Sequence, residues 1–211
     1  MSSSEFRDLL STRTAAAGLS IDENLIDRLG TYFALLAHWN ARINLSGFSL
    51  ERPTAQAVDR LLIEPLIIAQ TLKHPVDIWL DLGSGGGSPA IPIQLYKPAK
   101  VLVLVESKSR KAAFLREVAR ELGLNEVEVE VTRIESITSA HRLAGRADFV
   151  TIRAVRPSMP MFGAVHSLLR TAGRVALIGS KIGEFPVPQG FQVVPMIELA
   201  PIDSLVMLSK V

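Results

Sequence analysis

Val101-Leu102-Val103-Leu104-Val105 is five aliphatic residues in succession, set between Lys100 and Glu106. A strand with one wet face alternates apolar and polar side chains. A run that does not alternate has to be covered on both faces, which suits an interior strand of a parallel sheet. Parallel neighbours need long crossover connections, usually helical. The rest of the chain has that rhythm. Ile78-Trp79-Leu80, Val127–Val131, Phe149–Ile152, Val175–Ile178, Gln192–Met196 and Ser204–Leu208 read as further strands, and helical segments fall between most of them, including Ser109–Leu122 and Ser158–Arg170. The pattern predicts an α/β fold with a doubly wound, mostly parallel sheet. The last two strands leave little room for a helix, so one of them is expected to run antiparallel.

Upstream of His74-Pro75 the chain reads as helices. Ser20-Ile21-Asp22-Glu23 has the form of a capping box, with Ser20 and Glu23 satisfying each other's free backbone N–H groups. Leu25, Leu29, Phe33, Leu36 and Trp39 follow at helical spacing and form one apolar stripe, which makes Phe33 and Trp39 core residues rather than base-stacking platforms. A second helix is expected over Thr54–Leu72, bent at Pro65. The expected organisation is therefore an N-terminal helical extension, 1–74, packed on an α/β domain, 75–211. The 211 residues suffice for one sizeable core.

The chain has no cysteine, which removes disulfides, thiolate zinc sites and any cysteine nucleophile. Its four histidines lack metal-ligand spacing, so no metal site is expected. The acidic start at Glu5 and Asp8 is unlike a signal peptide, and Glu64 and Pro65 interrupt the apolar stretch Leu61–Ala69, so a cytoplasmic protein with no membrane span is expected. The net charge of +2, with a pI of 9.1, permits a nucleic-acid partner without singling one out.

Asp81-Leu82-Gly83-Ser84-Gly85-Gly86-Gly87 follows the first strand, where doubly wound folds bind their ligands. Glycines let the backbone turn sharply and approach a ligand that a Cβ would exclude. Dinucleotide-binding loops want G-x-G-x-x-G, and Ser88 stands at the last of those positions. Here Gly83, Gly85 and Gly87 alternate behind Asp81, the Asp/Glu-x-Gly-x-Gly-x-Gly arrangement of methyltransferase loops. Glu106 ends the next strand, where a carboxylate can accept both ribose hydroxyls of a nucleoside cofactor.

With these pieces in place the chain resembles the GidB/RsmG methyltransferases. The resemblance runs from about Leu25 to Ala176. It rests on Trp39-Asn40 with Asn44-Leu45-Ser46, on Asp81 to Pro89, on Glu106-Ser107 with Lys111 and Phe114-Leu115, on Arg133-Ile134-Glu135, and on Arg153-Ala154. It implies a Rossmann-like class I methyltransferase fold, S-adenosylmethionine as cofactor, and transfer to N7 of a guanine in small-subunit (16S) ribosomal RNA. By position it assigns cofactor contacts to Gly83, Ser88, Ile134, Glu135 and Arg153. The chain departs from the family pattern at Ser88, usually a large apolar residue, and at Ala90, usually glycine. Val58-Asp59-Arg60-Leu61-Leu62 lacks the family's histidine motif, and its Lys-Gly near the fifth strand survives loosely in Ser180-Lys181-Ile182-Gly183.

Guanine N7 exposes a lone pair, so attack on a sulfonium methyl needs no prior deprotonation, and no catalytic base is expected. Cytosine C5 methylation would need the missing cysteine. Thr151-Ile152-Arg153-Ala154 is unlike the tetrapeptide of amino-group methyltransferases. Lys108, Arg110, Lys111, Arg153 and Arg156 are the candidate RNA contacts, chiefly to phosphate. Arg116 and Arg120 read instead as a solvated helix face, with Glu117 and Arg120 as a weak ion pair. A hydrolase built on Gly86-Gly87-Ser88-Pro89-Ala90 is disfavoured by its fifth position and by histidines, His141 and His166, without a clear acid partner. A small-molecule methyltransferase and a non-catalytic relative that keeps the cofactor fold stay open, and a monomer is expected.

Overall fold

The computed structural model describes residues 3–72, 75–181, 183–195 and 204–211. The chain divides into two compact units of interleaved segments, Met1–His74 with Gly85–Pro98 and Ser109–Asn125, and Pro75–Ser84 with Ala99–Lys108 and Glu126–Val211.

The first unit is helical. It holds α1 (Ser3–Ala16), α2 (Glu23–Asn40), α3 (Ala55–Val58), α4 (Glu64–Thr71), α5 (Ala90–Tyr96) and α6 (Ser109–Glu121). The apolar stripe of α2 is broader than its sequence spacing suggests: Leu25, Ile26, Leu29, Tyr32, Phe33 and Leu36 are all buried. Phe33 stacks against Phe6 of α1 at 5.1 Å, and the half-buried Trp39 meets Phe114 of α6 at 5.9 Å. Both aromatics pack inward, as expected.

Two local expectations need correction. The cap of α2 is Asp22, whose carboxylate accepts from the Leu25 N–H at 2.8 Å, and not Ser20. An anionic cap directly at the first turn also meets the positive end of the helix. The second helix is irregular before Pro65 instead of bent at it: a π-helical turn, Asp59–Ile63, joins α3 to α4. Pro65 has no N–H to give the Leu61 carbonyl four residues back. That carbonyl accepts the Ser88 hydroxyl at 2.8 Å. Arg13 of α1 pairs with Asp59 in the same turn through two contacts of 2.7 and 2.6 Å.

The second unit is the sheet: β1 (Ile78–Leu82), β2 (Val101–Val105), β3 (Val127–Glu130), β4 (Ala147–Arg153), β5 (Leu169–Ile178), β6 (Phe191–Val193) and β7 (Leu205–Lys210), with α7 (Met159–Leu168) before β5. The strand order is β3-β2-β1-β4-β5-β7-β6. The first five strands are mutually parallel, and β7 runs antiparallel to both β5 and β6. The mostly parallel sheet and the reversed late strand are as expected. Strand β6 is shorter than expected, and Met196, the expected end of that segment, lies outside the described residues.

Period-two alternation sorts the strands. Leu80, Leu82, Val103, Val105, Val150, Ile152, Val175 and Leu177 share one cluster with Phe162, Val165 and Leu168 of α7. Trp79 and Asp81 point the other way from Leu80 and Leu82. The chain order reverses between β1 and β4, so the turn after β1 sits at the topological switch point, where open α/β sheets bind ligands.

Candidate cofactor crevice

The end of β1 is pinned by neighbouring strands. The Trp79 indole N–H donates to Thr151 Oγ1 at 2.9 Å, and the Thr151 hydroxyl donates to Asp81 Oδ1 at 2.5 Å. All three residues are buried. Burial pushes the Asp81 carboxyl up to about 6, against the lowering influence of Thr151, Ser84 and the Arg153 charge; the Glu106 charge adds to the rise. One residue past the strand, the Gly83 and Ser84 N–H groups both donate to the Val105 carbonyl, at 2.9 and 3.0 Å. The Ser84 hydroxyl returns to the Asp81 carbonyl at 2.9 Å.

Gly83 takes φ +79°, a left-handed value that favours glycine. A Cβ there would lie 3.0 Å from Val155 Cγ2 and 3.8 Å from Ile134 Cδ1. The bare Cα therefore forms one wall of a crevice of about 380 Å³, lined by Gly83, Val105, Glu106, Ser107, Lys108, Thr132, Arg133, Ile134, Glu135 and Val155. Glu106 is 6 % exposed, and its Oε1 accepts the Lys108 N–H at 2.8 Å. A carboxylate acceptor lining a pocket beside a glycine turn and an apolar wall is what a ribose diol next to a flat heterocycle requires.

The crevice gathers four of the eight expected cofactor residues, Gly83, Glu106, Ile134 and Glu135, together with Lys108 from the expected RNA set. The others are outside its lining. Gly85 and Gly87 both take positive φ, +51° and +83°. Ser88 donates to the Leu61 carbonyl within the helical unit. Arg153 ends β4, close enough to Asp81 for its charge to lower that carboxyl's pKa. Arg110 and Lys111 begin α6, Arg110 exposed and Lys111 half-buried, and Arg156 is exposed beyond β4.

Three residues of this region escape a reading of the sequence. Val155 looks like any loop aliphatic. It reaches the crevice because Ala154 takes φ +57°, a strained value for alanine that turns the chain directly after Arg153. Thr151 carries a visible signal, a hydroxyl inside an apolar strand, which burial obliges to find a partner. Tyr32 is fully buried in the helical unit and donates to the Gly86 carbonyl at 2.7 Å.

Two ion pairs also differ from expectation. Arg120 pairs with its neighbour Glu121 rather than with Glu117. His141 has an acid partner after all, Glu130 Oε2 at 2.9 Å, supplied by the end of β3 eleven positions earlier. The Leu143 N–H donates to His141 Nδ1 at 3.2 Å, and Nε2 is the ring nitrogen that faces Glu130. Among the described residues no cluster of histidine and carboxylate side chains could hold a metal ion, and no helix is long and apolar enough to cross a membrane.

The family model for rRNA small subunit methyltransferase G, GidB, matches residues 25–184. The chain belongs to the GidB family. A family member from Neisseria meningitidis serogroup C, named ribosomal RNA small subunit methyltransferase G, is 31 % identical over 217 residues, covering 98 % of this chain and 99 % of its own. Another of that name, from Halorhodospira halophila, is 32 % identical over 179 residues, covering 84 % of this chain and 81 % of its own. Among solved structures, yhhF of Escherichia coli, classed as a methyltransferase, superimposes with a TM-score of 0.57 at 16 % identity, over 75 % of this chain and 87 % of its own. SMU.1697c of Streptococcus mutans, of the same class and solved with SAH, gives 0.50 at 16 % identity, over 71 % of this chain and 96 % of its own. With the observed strand order, these likenesses make the fold of this GidB member the Rossmann-like class I methyltransferase fold.

Proposed function

We propose that this GidB family member transfers a methyl group from S-adenosylmethionine to N7 of a guanine in 16S ribosomal RNA. The observation that carries the reading is the crevice at the switch point, where the bare Gly83 Cα faces Ile134 and Glu106 is part of the lining. Glu106 would accept the ribose hydroxyls, Ile134 would lie against the adenine, and Glu135 would hold its polar edge. The glycine turn through Gly85, Gly87 and Ser88 is assigned to the same cofactor by its sequence pattern, and Arg153 to the cofactor carboxylate or the RNA. Bound there, the cofactor supplies an electrophilic methyl on its sulfonium.

The chain's own residues need only position the two reactants and keep water away, because guanine N7 attacks with an existing lone pair and no proton has to leave first. That accords with a crevice whose carboxylates suit binding rather than proton transfer. Lys108, Arg110, Lys111 and Arg156 would contact phosphate, so the reaction would take place in the cytoplasm on the small ribosomal subunit or its RNA, with the protein acting as a monomer.

Mass spectrometry of 16S rRNA from a deletion strain tests the proposal. One 7-methylguanosine should disappear and return on complementation. If that nucleoside persists in the deletion strain, the substrate assignment is wrong. If calorimetry finds no S-adenosylmethionine binding at millimolar concentration, the cofactor assignment falls as well.

A further inference from the structure

The four parallel strands β2, β3, β4 and β5 end at Val105, Glu130, Arg153 and Ile178. In each case the third residue beyond the strand is a cation: Lys108, Arg133, Arg156 and Lys181. All four are exposed. Among the described residues none of these four side chains has a hydrogen bond or an ion pair. The Lys181 backbone N–H donates to Glu184 Oε2 at 3.0 Å, which leaves the ammonium group out of that contact. Other arginines are engaged by carboxylates, among them Arg13 with Asp59, Arg60 with Glu64, Arg142 with Glu128 and Glu130, and Arg170 with Asp148.

Because the strand order is β3-β2-β1-β4-β5, these cations fall in a row in the order Arg133, Lys108, Arg156, Lys181, with the glycine turn after β1 in the middle. At about 4.8 Å between neighbouring strands, the row spans roughly 19 Å. Two of its members, Arg133 and Lys108, line the crevice. Long flexible cations left without carboxylate partners are solvated in the free protein and available to a polyanion, and a line of them tracks a backbone rather than reading bases.

We infer that this row is the track of the substrate RNA: a single-stranded segment crosses the carboxyl edge of the sheet at right angles to the strands, its phosphates on Arg133 and Lys108 on one side of the target nucleotide and on Arg156 and Lys181 on the other. The inference rests on the proposed rRNA reading and adds to it the direction of the strand and two contacts, Arg133 and Lys181. The track passes over the crevice, so a base turned down from it enters beside Gly83. Since the row has members on both sides of the turn after β1, a strand end that stops at the crevice would use only half of it.

The test is fluorescence anisotropy of the full-length protein with a labelled single-stranded RNA carrying the target guanine at its centre, over a series of salt concentrations. Arg133→Gln and Lys181→Gln should each weaken binding and flatten the log–log salt dependence by about 0.7, the value for one single-strand phosphate contact, and the double variant by about twice that. Arg146→Gln, an exposed cation just before β4 at the opposite edge, should leave both unchanged. An RNA truncated at its target guanine should become insensitive to one of the two substitutions and stay sensitive to the other. If wild-type protein binds and methylates the RNA while Arg133→Gln and Lys181→Gln bind as wild type does, or if Arg146→Gln loses as much, the track is wrong and the enzyme assignment stands. If wild-type protein binds S-adenosylmethionine but neither binds nor methylates the RNA, the rRNA reading has failed and the track falls with it.

Discussion

Two carboxylates close to the glycine turn have opposite tasks. Glu106 lines the crevice, held by the Lys108 N–H, where it can take hydroxyls. Glu106→Ala should weaken S-adenosylmethionine binding by about 1.5–3 kcal/mol, the range for hydrogen bonds to a charged acceptor; an unchanged dissociation constant in calorimetry would remove this residue from the site. Asp81 is buried behind it, with its pKa raised from 3.8 to about 6. A raised carboxyl pKa means that the folded chain holds a proton the unfolded chain has already lost. Stability contributed by Asp81 therefore falls as pH rises from about 4 to about 6, by something on the order of 3 kcal/mol, and is flat above that window. Glu130 and Asp148 run the other way. Burial raises each, but His141 and Arg142 around the first, and the Ile78 N–H and Arg170 around the second, outweigh it and bring both carboxyls below the usual range. Their contribution is lost as pH falls through their depressed values. Comparing variant with wild type isolates Asp81: Asp81→Asn should gain stability relative to wild type between pH 4 and pH 6 in urea titrations, and a constant difference across that range would show that Asp81 titrates normally. The Asp-x-Gly-x-Gly-x-Gly spacing made this residue visible. Its protonation was not, because the partner that buries and pins it, Thr151, is seventy positions away.

Among the elements, α2 shows what periodicity can and cannot reveal. The apolar residues at 25, 29, 33 and 36 were legible because a helix returns to the same face every three to four residues. Tyr32 was not, since an amphipathic side chain at that position reads equally well as surface; its burial is decided by the Gly86 carbonyl, which its hydroxyl reaches. Tyr32→Phe keeps the packing and removes the donor, so it should cost about 0.5–1.5 kcal/mol in denaturant unfolding. A variant as stable as wild type would mean that this carbonyl finds water. The capping box failed for a related reason. Ser20 and Asp22 are both good caps, and the choice between them depends on where the first turn begins, which spacing alone leaves uncertain by a residue or two. Strands were easier. The Val101–Val105 run appears with its ends unchanged, because nothing but an interior strand accommodates five aliphatics that do not alternate.

For the molecule as a whole, the mostly parallel sheet could be read from the alternation of strands and helices, and so could the reversal of a late strand from its short connection. The crevice was half legible. Gly83 and Glu106 announce themselves by type and place, whereas Val155 enters only through the turn at Ala154. The sheet also has two outer strands, β3 with four residues and β6 with three. Brevity leaves few unsatisfied rungs for a foreign chain to add to, and on β3 the glutamates at 128 and 130, both engaged by Arg142, put charge where such a chain would have to lie. Changing both to valine would make 127–131 five valines in succession. That variant should scatter light at concentrations where the wild type stays clear, and a clear solution would mean that shortness alone guards this border. If the variant does scatter, the acids of β3 matter as a guard against self-association, a duty separate from any chemistry the protein performs.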